Sequence, residues 1–142
     1  MLKAIVRALG QRRCKDEQHL FVKLDSWHIT HLPLIRQAFP ETPLFFVYRH
    51  PSEILSSHRR QRGQQMVPGL LAPDLLGLDS QVVDPADLDG FCLRVLASFF
   101  RSARSHTASG DVVLINYSQL PALIYNQFAR CFSIFSMQRQ CG

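Results

Sequence analysis

The chain has 142 residues, 46% hydrophobic and 19% charged, a balance that fills a packed core of domain size and excludes an intrinsically disordered chain. A formal charge of +5 at pH 7 and a pI near 9.4 imply affinity for anions, whether nucleotides, nucleic acid or an acidic surface. No apolar run approaches the ~20 residues of a membrane span, and Cys14, Cys92, Cys131 and Cys141 lack the paired spacing of a zinc site or disulfide framework, which points to a reducing, cytoplasmic compartment.

Residues 3–12 space their apolar positions as a short amphipathic helix with Gly10 near its end. This start is Arg-rich and acid-free, as in a transit peptide, but its spacing also fits a surface helix, and it is too interrupted for a signal-peptide core. HLFVKL (19–24) reads as a buried strand. Ile29, Leu32, Ile35 and Phe39 form a helical stripe over 28–38, with Pro33 opening its regular part. LFFVY (44–48) is a second strand, and Pro51 opens a helix through Gln61 that Gly63 stops. Residues 64–80 read as a loop with one helical turn near Leu75. A long helix follows over 84–106, with Asp84 as N-cap and Pro85 as its first residue. VVLIN (112–116) is a third strand, and Ser118 can cap a last helix through Phe132. Apolar strands joined through helices predict an α/β fold: one domain over 1–142, built on a parallel sheet covered by helices on both faces.

Ligands of open parallel sheets bind beyond the carboxyl ends of the strands. Lys23, Arg49 and Asn116–Tyr117 stand at such ends. Arg49 comes one residue before the N-cap of its helix, where unpaired amides and the helix dipole attract anions. A guanidinium adds charge-assisted bonds of about 1.5–3 kcal/mol each. Ser57 follows six residues into that helix, roughly 9 Å along its axis, and an Arg49 side chain laid along the first turn meets it at one phosphate. A solvated arginine beside a satisfied helix serine is the alternative.

The segment YRHPSEILSS resembles the 3′-phosphate-binding element of sulfotransferases that use 3′-phosphoadenosine 5′-phosphosulfate (PAPS), in which a strand ends in Arg-x-Pro and a serine follows eight residues after the arginine. Arg49, Pro51 and Ser57 carry that spacing, and Ser56 is one residue early. FVKLDSWHITHLPLIRQAFP is similar to the family's Lys-containing strand and following helix, and LINYSQLP to its strand ending in Tyr-x-x-Leu. The resemblance spans about residues 19–132. It implies a partial P-loop-like fold, PAPS as co-substrate bound by Arg49, Ser57 and Tyr117, and sulfuryl transfer to a hydroxyl or amine of a small-molecule or glycan acceptor. Lys23 is then expected to stabilise charge on the leaving group, and Asp25 or His28, with His31 as a further choice, to accept the acceptor's proton.

The chain departs from that family in having no Gly/Ser/Thr-rich phosphosulfate loop: the only early glycine is Gly10, in GQRRC. The expectation is therefore a domain incomplete at its N-terminus, marginally stable and prone to self-associate or to take a strand from a partner chain. A non-catalytic nucleotide-binding remnant is the alternative function. HRRQR (58–62) also admits a basic nucleic-acid-binding face, although short runs without interleaved aromatics are usually solvated. The loose spacing of His28, His31, His50 and His58, with no cysteine or acid cluster, predicts no metal site.

Overall fold

The structure, a computed structural model, describes residues 1–17, 20–79 and 84–126. Its described part is mixed α/β: five α-helices, several 3-10 turns and one two-stranded parallel sheet. The helices are α1 (Leu2–Leu9), α2 (Leu32–Ala38), α3 (Pro51–Arg60), α4 (Leu88–Ala108) and α5 (Leu120–Asn126). The strands are β1 (Phe45–Tyr48) and β2 (Val113–Asn116), paired parallel with Phe45 opposite Val113 and Tyr48 opposite Asn116.

The spine is α4. Its Phe91, Cys92, Val95, Leu96, Phe99 and Ala103 recur at helical period and are all buried. Ile29, Leu32, Met66, Leu76 and Val112 close around them into one core. The helix begins later than the sequence suggests. Asp84 spends its carboxylate on the nearby Ala86 amide (2.9 Å), and Asp87 is the residue that caps α4 by accepting from Gly90 N–H (2.8 Å). At the far end Gly110 adopts φ +78, Gly110 N–H donates to Thr107 O (3.0 Å) and Asp111 N–H to His106 O (2.8 Å). That paired closure turns the chain directly into β2.

Gly77 is a left-handed glycine that packing also demands. At φ +64 it ends the 3-10 turn Pro73–Leu76, and a Cβ there would stand 2.7 Å from Ser98 Oγ. Ser98 is buried and donates to Gly77 O (2.9 Å), while the Thr30 hydroxyl lies within hydrogen-bond distance of Leu75 O (2.8 Å). These contacts fasten residues 64–79, which form two 3-10 turns where the sequence suggests one, onto α4 and the turn Ser26–His31. Arg36 of α2 donates to Thr42 O (2.6 Å) and to Asp111 O, so the entries to both strands are held together.

The sheet corrects one expectation. Residues 20–24 form no strand: Leu20, Phe21, Val22 and Leu24 are 53, 60, 53 and 42% exposed, and the described sheet is β1 paired with β2. An apolar β-branched run makes a strand only where a neighbour satisfies its backbone, and the edge of β1 away from β2 takes no strand among the described residues. Burial on the two faces is mixed. Phe46 and Tyr48 meet Phe100 of α4 edge-on at 6.3 and 6.5 Å while Leu114 beside them is exposed, and on the opposite face Ile115 is buried while Val47 and Val113 are exposed. After β2, Asn116 rather than Ser118 caps the chain, accepting from Ser118 N–H (3.0 Å) while Gln119 reaches back to Asn116 N–H (3.1 Å). The expected continuation to Phe132, and Cys131 and Cys141, lie outside the described residues.

Candidate functional site

The parallel register sets the end of β1 beside the end of β2, so Arg49 and Asn116–Ser118 share one rim of the sheet. Immediately after Arg49 the chain enters α3, with His50 as N-cap: its Nδ1 accepts from Ser52 N–H (3.3 Å) and lies 2.6 Å from Ser52 Oγ. Pro51 at the first helical position fits because that position needs no amide donor.

Between these segments opens a cleft of 790 Å³, within the range of small-ligand sites, lined by Arg49, His50, Ser52, Glu53, Ser56, Arg60 and Asn116–Ser118. A smaller hollow of 280 Å³, lined by Val47, Tyr48, Arg49, Ile54 and Tyr117, shares two of those residues. Ser52, Ser56 and Arg60 fall at i, i+4 and i+8, one stripe along α3. Arg49 lies with its guanidinium carbon 5.7 Å from the centre of the exposed Tyr117 ring, a cation–π geometry. No carboxylate forms an ion pair with Arg49 or Arg60 among the described residues. Two guanidinia against one acid, Glu53, in the cleft lining leave it electropositive.

Burial, then the nearby Arg62 and Arg49, hold the His58 imidazole below its ordinary pKa, and the ring accepts from Gly63 N–H (3.2 Å). The remaining arginines of α3 and its exit are committed elsewhere. Arg59 and Arg62 bind the Asp89 carboxylate at 2.8 and 3.1 Å, and Arg62 also donates to Leu88 O (3.0 Å), tying α3 to the start of α4. The basic run 58–62 is thus largely a structural clamp, with Arg60 alone reaching the cleft.

Of the residues singled out by sequence, Arg49 and Tyr117 stand in the cleft together. Ser57 is half-buried and absent from the lining, where Ser56 takes the position facing it. Lys23 lies exposed in the 20–24 segment, outside the sheet on whose edge it was expected. Asp25 precedes the turn Ser26–His31, and the His28 ring stacks on Trp27 (5.5 Å) with Nδ1 3.0 Å from Asp25 O. None of Lys23, Asp25 or His28 lines the cleft, and His31 buries its Nε2 without a hydrogen-bond partner among the described residues. Sequence reasoning missed Ser52, Arg60 and Ser118. The four-residue spacing of Ser52, Ser56 and Arg60 is the signal that finds two of them.

Among the described residues no three His, Cys, Asp or Glu side chains gather to hold a metal, and no helix is long and apolar enough to cross a membrane. Cys14 and Cys92 are free thiols. No family model, curated protein or solved structure matches the chain.

Proposed function

We propose that the cleft takes the 3′-phosphoadenosine end of PAPS, with Arg49 as the principal phosphate ligand. The observation that carries this reading is the setting of Arg49: half-buried, without an acidic partner among the described residues, over the Tyr117 ring and in the cleft lining. A guanidinium fork matches phosphate oxygens two at a time. We assign the second phosphate contact to Ser56, which lines the cleft, in place of Ser57, with Arg60 adding charge one turn further along. The exposed Tyr117 ring offers the flat face on which a nucleobase stacks.

The sequence resemblance extends the proposal to sulfuryl transfer from PAPS to a hydroxyl or amine acceptor in a reducing, cytoplasmic setting. Lys23, Asp25 and His28, the residues it offers for charge stabilisation and proton acceptance, all stand outside the cleft lining. That placement favours a second reading, in which the chain holds the nucleotide without turning it over. Calorimetry with 3′,5′-ADP and 5′-AMP tests the shared part: the 3′-phosphate should strengthen binding by roughly tenfold or more, and equal affinities refute the site. Release of 3′,5′-ADP from PAPS in the presence of hydroxyl and amine acceptors then separates transferase from binding module.

A further inference from the structure

The first helix is not explained by the nucleotide reading. At 100° per residue, Leu2, Ile5, Val6 and Leu9 of α1 fall in one stripe about 100° wide, yet α1 buries no residue, and Leu2, Ile5 and Leu9 are 39, 49 and 74% exposed. The stripe continues into a second apolar surface, because Leu20 packs against Gly10 at the end of α1 and is followed by exposed Phe21 and Val22. Cations border it. Lys3 and Arg7 lie along one flank of the helix, Arg12, Arg13 and Lys15 follow, and the first acids are Asp16 and Glu17. Glu17 is occupied with the Arg13 backbone amide (2.7 Å), and none of the five cations has a carboxylate ion pair among the described residues.

We infer that α1 and the adjoining residues 20–22 form a membrane-surface contact that lies flat on an anionic bilayer. Such a surface supplies what this patch lacks among the described residues: an apolar phase for Leu2, Ile5 and Leu9, and negative headgroups for the bordering cations. A second copy of the chain would cover the apolar stripe but would set like charges against each other across the interface. An eight-residue helix is also marginal in water by itself, and an interface that rewards its amphipathic form stabilises it. The contact is superficial, since no described helix is long and apolar enough to cross. It is independent of nucleotide binding.

The full chain should sediment with phosphatidylcholine vesicles carrying about a third phosphatidylserine and not with phosphatidylcholine alone, and salt should weaken the binding. Each cation near an anionic surface strengthens binding about fivefold, so Lys3→Gln with Arg7→Gln should weaken it roughly twentyfold. Ile5→Asp with Leu9→Asp should abolish it, and both variants should melt with the parent because α1 contributes nothing to the core. If the aspartate pair lowers the melting temperature, the charge variant and the salt series decide. Failure to bind anionic vesicles, or equal binding to neutral ones, overturns the inference. So does a parent dimer that Ile5→Asp with Leu9→Asp converts to monomer while vesicle binding is absent, which would assign the patch to a second copy.

Discussion

Truncating Arg49 to alanine isolates the contact on which the proposed site depends. The guanidinium is half-buried and has no acidic partner among the described residues, so its removal should break no ion pair within the fold. Its 5.7 Å approach to Tyr117 is present with or without ligand and so largely cancels in a binding difference. What remains is the charge-assisted hydrogen bonding to phosphate, about 1.5–3 kcal/mol per bond, and one strong bond plus part of a second gives a loss of about 2–4 kcal/mol. That corresponds to a roughly thirty- to several-hundredfold rise in Kd for 3′,5′-ADP by calorimetry. Arg49→Lys keeps the charge without the planar fork and should lose about half as much. 5′-AMP, which has no 3′-phosphate, should be nearly indifferent to both changes. Equal losses for the two nucleotides would refute the assignment, as would an unchanged Kd in a variant whose melting temperature matches the parent.

Other expectations concern the scaffold. Val95 is fully buried, so Val95→Ala removes two methyl-sized groups from the core and should cost about 2 kcal/mol in denaturant unfolding. Gly77→Ala should cost at least about 1–2 kcal/mol from its left-handed backbone alone, with the 2.7 Å approach to Ser98 Oγ adding to it; a neutral thermal shift would contradict both terms. Hydrogen bonds from Arg62 and then Arg59 hold the Asp89 carboxyl below its ordinary pKa. Because the folded value is the lower one, the associated stability is present above the unfolded carboxylate value near ~4 and disappears as pH falls through the folded value. Asp89→Asn should therefore flatten the acid limb of a stability-against-pH curve and leave its shape at neutral pH unchanged.

Local pattern made much of the fold legible. The α4 core face, the pairing-competent apolar runs of β1 and β2, and the Pro51 helix start are all written in neighbouring residues, where periodicity, capping and proline geometry act. Residues 20–24 show the limit of that logic. Their composition suits a strand, but strand formation is a property of a pair, and sequence pattern does not reveal whether a partner edge is present. Asp84 and Asp87 mark a finer limit, because two carboxylates in a row of turn residues compete for one helix start and the choice rests on a hydrogen bond to Gly90. In the site, Arg49 and Tyr117 are legible as strand-end residues. The exchange of Ser57 for Ser56 is a matter of helical phase, 100° per residue, which a match by linear spacing does not resolve.

The two walls of the cleft come from stretches far apart in the chain, and the four-residue ladder between β1 and β2 sets their alignment. A slip of two residues in the ladder would keep every side chain on its own face yet carry Asn116 about 7 Å along the sheet relative to Arg49. Any ligand that bridges Arg49 and Ser118 accordingly recognises one alignment and rejects the slipped ones. By mass action it suppresses the slipped and opened forms by the factor 1 + [L]/Kd. Saturation with such a ligand should slow amide hydrogen exchange along Phe45–Tyr48 and Val113–Asn116 together, while the exposed turns of α1 exchange as before.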